Sequence, residues 1–183
     1  MSVDAVLKFD IRSNSKAENN KLAKDGYLLG NINGKGMASV AIALKKDEFK
    51  KTIKKYGRNC VLKLENQEQQ GHEVMVKAVQ VNPKDYEYYH VDFQKVIFTD
   101  MVRADVAIRY KGSEFLQAKK LILNRLVDTI PVWGFPQDIP HIIEFDLSNS
   151  NAGDNITIAD LTFPEGIKPE AEDQQLIGSI LGV

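Results

Sequence analysis

Short runs of alternating apolar and polar residues recur along most of this 183-residue chain, and they constrain its fold more than any other feature. Leu7, Phe9 and Ile11 alternate with Lys8, Asp10 and Arg12. Ala38, Val40, Ile42 and Leu44 repeat the pattern, as do Val102, Ala104, Val106, Ile108 and Tyr110. Ile143, Phe145 and Leu147 alternate with Glu144, Asp146 and Ser148. A period of two puts every second side chain on the same face of an extended strand, so each run predicts a half-buried strand. Residues 60–64 and 74–80 predict two more, joined as a hairpin by the polar turn 66–72. Residues 86–93 predict another, with Tyr88, His90 and Asp92 on one side and Tyr89, Val91 and Phe93 on the other. Ile156 and Ile158 follow the turn Ala152-Gly153-Asp154.

Helical signals are few. Residues 47–56 carry Phe49, Ile53 and Tyr56 at spacings of four and three, and Gly57 supplies a stop. Residues 16–25 predict a shorter helix ended by Gly26. Residues 116–126 are apolar and helical in pattern, though ambiguous. Gly30, Gly34 and Gly36 read as a tight turn or a bulged strand. Pro131, Pro136 and Pro140 exclude a central helix between them. The acidic stretch 165–175 is expected to be loose. The predicted fold class is mainly β with minor α. It comprises two β-rich domains, 1–95 and 96–183, meeting near residues 94–100.

Charge supports that division. Residues 1–95 hold 17 Lys and Arg against 12 Asp and Glu, whereas residues 96–183 hold 7 against 13. A basic half can sit on a polyanion, and an acidic half is repelled by one. No apolar run approaches the roughly 18 residues that a membrane-spanning helix needs. The first residues show no basic and apolar signal-peptide pattern, so a cytoplasmic protein is expected. The single cysteine, Cys60, precedes Val61, Leu62 and Leu64 and reads as a buried thiol rather than a nucleophile. Asn155-Ile156-Thr157 matches a glycosylation sequon, which means nothing without a secretory route.

Chemistry concentrates in one place. Val79-Gln80-Val81-Asn82-Pro83 is followed six residues later by His90-Val91-Asp92-Phe93-Gln94-Lys95-Val96. A Gln and a His-x-Asp pair then stand near the ends of two strands joined by a turn. No acid, nucleophile or metal ligand accompanies them in sequence, which favours recognition over catalysis. His72, His90 and His141 lie in no metal-ligand spacing. Asp146, Asp154 and Asp160 sit beside turns or strand ends, where Asp commonly bonds backbone. No nucleophile elbow or dinucleotide fingerprint occurs. Gly34-Lys35-Gly36 lacks the Lys-Ser/Thr pair and following helix of a phosphate loop. The expected complement is no catalytic residue, no metal, no cofactor, no small-molecule substrate and no membrane. Lys50, Lys51, Lys54 and Lys55 form either a phosphate-binding face or a solvated one. Tyr86, Tyr88 and Tyr89 could stack on bases, but strand propensity accounts for them equally well.

The block from Val79-Gln80 to His90-Val91-Asp92-Phe93 resembles the signature of the bacterial large-subunit ribosomal protein family numbered twenty-five. The long, two-domain form, which includes the general stress protein Ctc, is the better match. Pro136-Gln137-Asp138-Ile139-Pro140, Ile143-Glu144-Phe145-Asp146, Gly153-Asp154 and the stretch from Ala159-Asp160-Leu161 to Pro164-Glu165-Gly166 resemble its C-terminal domain in order and spacing. The resemblance implies an N-terminal β-barrel-like domain that binds 5S ribosomal RNA, partners among the large-subunit proteins, and no catalysis. Carried over by position, it assigns RNA contacts to Gln80, His90 and Asp92 and matches Arg12 to a family arginine. Arg12, Lys21, Lys24 and Asn33 complete the expected set of RNA-binding residues. Family members usually carry an R-R-L-R segment ahead of a glycine and then a strand ending Tyr-Gly. Here Asn20 and Ala23 stand where arginines are expected, and Asn33 where a tyrosine is. Paired glycines around residues 118–121 are also absent. Fewer arginines mean fewer phosphate contacts. The alternative is therefore a diverged, stress-related paralogue acting as a protein-binding module with weak or no RNA affinity.

Overall fold

The computed structural model describes residues 3–13, 15–66 and 71–182. The chain divides into two compact units between Asp100 and Met101.

In the first unit six strands close into a barrel. They are β1 (Ala5–Ile11), β2 (Tyr27–Gly34), β3 (Met37–Lys45), β4 (Leu62–Glu65), β5 (Gly71–Val81) and β6 (Tyr88–Lys95), in the order β1-β3-β2-β6-β5-β4. Antiparallel pairings join β1–β3, β2–β3, β4–β5 and β5–β6; parallel pairings of β2 with β6 and of β1 with β4 complete the ring. The inward positions of the alternating runs fill the interior: Leu7, Phe9, Leu28, Ile32, Ile42, Leu44, Leu62, Leu64, Val91 and Phe93 are all buried. Ile11 keeps the alternation but stands exposed past the rim of the core. Helix α1 (Lys16–Lys24) packs on β2, and α2 (Lys46–Tyr56) drives Phe49 into the barrel. Gly26 and Gly57 follow these helices at φ +83° and +82°, a backbone state open to glycine at no steric cost.

Gly30 has a different task. A Cβ there would lie 2.7 Å from the Val91 carbonyl oxygen and 2.9 Å from Val91 Cγ1. The missing side chain is what allows β2 and β6 to pair with both residues turned toward a filled core.

Two details depart from the sequence reading. Of the expected turn 66–72, residues 67–70 lie outside the described residues, and His72 already belongs to β5, opposite Leu64. The face assignment of Tyr88 and Tyr89 is reversed. Gln80 pairs with His90 but Val81 pairs with Tyr88, so Tyr89 is the extra residue of a β-bulge. Tyr88 therefore packs on the core, edge-on to Phe49, while Tyr89 is exposed. Strict alternation cannot register an inserted residue.

Cys60 lies buried just before β4. Burial and the nearby Asp4 carboxylate push its thiol up to about 12, so it stays protonated and unreactive at neutral pH.

The second unit contains β7 (Val102–Lys111), α3 (Ser113–Ala118), β8 (Leu121–Arg125), β9 (Thr129–Gly134), β10 (Ile142–Asp146), β11 (Asn155–Thr157), β12 (Lys168–Pro169) and β13 (Leu176–Gly182). One sheet has the order β10-β7-β9-β12 and the other β11-β13-β8. Val106, Ile130, Val132, Ile143, Ile158, Ile177 and Ile180 are buried between turns and sheets. The helical reading of 116–126 holds only to Ala118. Lys120, at φ +55°, turns the chain, and residues 121–125 pair along their length with β13. The stretch 165–175 is tied down at its middle. Ile167 is buried, β12 pairs with β9, and the Arg103 Nε donates to Glu170 at 2.6 Å. Strand β13 escapes a periodicity search because its apolar residues are interrupted by Gly178 and Ser179 rather than alternating.

All six strands of the closed barrel lie before Asp100, so we expect residues 1–100 to fold alone. A fragment ending there should show a cooperative thermal transition. Absence of one would mean that the barrel is completed by the second unit.

Candidate RNA-binding face

The pleat decides what the barrel shows to its surroundings. Along β6, Val91 and Phe93 point inward, so His90, Asp92 and Gln94 point outward. Along β2, buried Leu28 and Ile32 leave Leu29, Asn31 and Asn33 outward. Registers then set the neighbours. Gln80 on β5 stands directly opposite His90, with Leu29 on the other side of His90. The next row reads Ala41, Asn31, Asp92, Ala78 across β3, β2, β6 and β5, and Asn33 adjoins Gln94 beyond it. Three of the expected contact residues, Gln80, His90 and Asp92, are thus brought together on one surface.

The three differ in their access to solvent. Gln80 is exposed. His90 and Asp92 side chains are 20% and 27% exposed, enough to be reached but held by their neighbours. His90 Nδ1 lies 3.6 Å from Asp92 Oδ2, too far for a hydrogen bond, and it has no other protein partner.

Arg12, the expected RNA contact at the end of β1, is bonded within the protein. Its Nε donates to the Ile42 carbonyl at 3.1 Å, Nη1 to Asn19 Oδ1 at 3.2 Å, and Nη2 to Asn31 Oδ1 at 3.2 Å. Nη2 also reaches the Gly30 carbonyl at 3.5 Å. All three nitrogens are engaged, and the guanidinium ties β1 to β3, α1 and β2. Neither Asn19 nor Asn31 is singled out by sequence reasoning. The one available signal was that Asn31 alternates with Leu29 and Asn33 on the outward side of β2.

Lys21 and Lys24 are exposed on α1, as are Asn20 and Ala23, and Asn33 is exposed at the end of β2. The α2 lysine face is partly neutralised from within. Lys50 Nζ donates to Glu87 Oε1 at 2.6 Å, Lys46 lies 3.9 Å from the same carboxylate, and Lys55 stacks over Tyr56 at 4.7 Å. That pins the β5–β6 turn to α2 and leaves Lys51 and Lys54 in solvent. Tyr86, at φ +55° on this turn, is 81% exposed, so Tyr86 and Tyr89 rather than Tyr88 could meet a base.

Asp146, Asp154 and Asp160 bond their local surroundings, as their places beside turns and strand ends predict. Asp146 accepts from the Ser148 backbone and hydroxyl, Asp154 from the Asn151 backbone, and Asp160 caps Thr157. The Ser148 bonds hold the Asp146 carboxyl below its ordinary range. Among the described residues no cluster of three His, Cys, Asp or Glu could hold a metal, and no helix is long and apolar enough to cross a membrane.

Comparison with known proteins matches this architecture in two blocks. The sequence model of the ribosomal L25p family matches residues 7–93, and that of the C-terminal domain of ribosomal protein TL5 matches residues 101–183. The large ribosomal subunit protein bL25 of Lachnoclostridium phytofermentans is 45% identical over 171 residues, 93% of this chain and 89% of its own. The proteins of the same name from Caldanaerobacter subterraneus and Thermoanaerobacter pseudethanolicus are similar at 30% over 173 residues and 28% over 182. They align with 93% and 99% of this chain, and with 85% and 88% of their own lengths.

Proposed function

The chain belongs to the ribosomal L25p family in its long, two-domain form, and from that premise we propose that its barrel binds 5S ribosomal RNA through the outer face of β2, β6 and β5. It is a structural constituent of the large ribosomal subunit and not an enzyme. The observation that carries the RNA reading is the register of β5 and β6, which sets Gln80 beside His90 with Asp92 in the next outward row. Amide, imidazole and carboxylate groups address base edges and riboses, which unpaired or irregular RNA exposes. Small Ala78 on β5 stands beside Asp92, so a nucleotide approaching from that side meets no bulky side chain. Lys21 and Lys24 on α1, with Asn33 at the strand end, supply the margin of the surface.

This division of labour assigns specificity to the sheet and electrostatic attraction to α1 and neighbouring lysines. Restoring arginine at Asn20 and Ala23 then tests whether α1 faces RNA. Each neutralised phosphate steepens the fall of log affinity with log salt by roughly 0.7–0.9. Two added contacts should steepen it by roughly 1.4–1.8. Both positions are solvent-exposed, so the double variant should melt with the wild type. Titration of 5S ribosomal RNA at several salt concentrations is the measurement. An unchanged slope would remove α1 from the interface, and no binding by the wild type at any salt would reject RNA recognition by this face.

A further inference from the structure

We propose that Asn31 and Asp92 together read the Watson–Crick edge of one unpaired guanine, and that Arg12 is the positioning residue that fixes Asn31 for this task. The inference rests on the RNA-binding reading above and adds a residue and a base to it.

The argument begins with Arg12. A guanidinium has donors only, so the atom of Asn31 that faces it must be the amide oxygen. The Asn31 amino group is thereby turned away from Arg12. Asn31 and Asp92 are register neighbours on adjacent parallel strands, about 4.8 Å apart by strand spacing, and both lie on the outward side. The surface therefore presents a fixed donor beside a carboxylate that accepts at two oxygens. Guanine offers the complement: N1–H and the N2 amino group for the carboxylate, and O6 for the amide donor. Adenine and cytosine each present one amino donor beside ring acceptors. Uracil presents a single N–H between two carbonyls, one of which would oppose the carboxylate. Only guanine supplies two adjacent donors and an acceptor in line. Ala78, on the β5 side of Asp92, leaves the edge room to enter.

Arg12 matters here through geometry rather than charge. With Nε, Nη1 and Nη2 all bonded inside the protein, it has little left to offer a phosphate. Its loss would free the Asn31 amide to rotate.

The test is chemical footprinting of full-length protein on 5S ribosomal RNA with kethoxal, which reacts at guanine N1 and N2. At saturating protein, Asn31→Asp and Asp92→Asn should each expose the same single guanine that the wild type protects, with other protections kept. Asn31→Asp retains an oxygen for Arg12, so its melting temperature should hold while affinity falls about tenfold or more. Ser39→Asp adds the same charge at an exposed position of β3, outside the proposed RNA surface, and should leave that guanine protected. Arg12→Lys, which keeps the charge, should expose it. The proposal is overturned if wild-type protections survive in Asn31→Asp, or if Ser39→Asp exposes the same guanine. It falls with the reading it rests on if the wild-type protein binds no 5S ribosomal RNA, an outcome visible before any variant is made.

Discussion

Phe49→Ala should lower the stability of the barrel by about 3–5 kcal/mol, the range for removing a fully buried phenyl ring. Phe49 is inaccessible to solvent and meets Tyr88 and Phe93 edge-on, at ring-centre distances of 5.7 Å and 6.1 Å. It is the one large side chain of α2 that is fully buried, with Ile53 and Tyr56 packing only partly on the same core, so truncation leaves a cavity where the helix meets strand β6. Its two aromatic neighbours are themselves held by the sheet and cannot collapse into the space. The chain's single tryptophan, Trp133, lies on β9 of the second unit. Its fluorescence therefore reports that unit, while far-ultraviolet circular dichroism reports both. Chemical denaturation of Phe49→Ala should move the dichroism transition and leave the Trp133 transition in place. Equal displacement of both would show that the two units unfold as one, and displacement of neither would show that Phe49 does not anchor α2.

The location of Phe49 also shows how far the sequence could be read. Its spacing to Ile53 and Tyr56 marks the apolar face of a helix, and the hydrophobic periodicity of residues 7–11 and 38–44 marks strands, because burial on one side leaves a local signature. What burial does not encode is partnership. The parallel pairings of β1 with β4 and of β2 with β6 close the barrel between residues distant in sequence, and no local pattern announces them. The same holds for β8, whose Leu121 to Leu123 could serve a helix as well as a strand until β13 pairs with it. A bulge at Tyr89 shifted two side chains across the sheet without altering composition. In the candidate site, Gln80, His90 and Asp92 were legible as residues, and their side-by-side placement follows from one hairpin register. Asn31 and Asn19 were not legible, because their relation to Arg12 exists only across three elements of the folded chain.

Replacing Gln80 and His90 together by alanine should produce the largest loss of RNA affinity obtainable on this face without disturbing the fold. Each alone should cost about 1–3 kcal/mol if its side chain makes a specific contact, a range borrowed from base-edge contacts on DNA. The pair is directly opposed across β5 and β6, so both side chains would touch the same or adjacent nucleotides. Neighbouring residues that share a partner couple, and the double variant should therefore lose less than the sum of the singles. Stability should change little, since Gln80 is exposed and His90 makes no hydrogen bond through Nδ1 that truncation would break. Asp92→Ala is a less direct probe, because it removes both a candidate contact and the charge 3.6 Å from His90. Filter binding of the four-member cycle on 5S ribosomal RNA measures the coupling. Wild-type affinity for the double variant would dismiss β5 and β6 as the reading surface. Strictly additive losses would mean that Gln80 and His90 address separate parts of the RNA despite standing opposite each other.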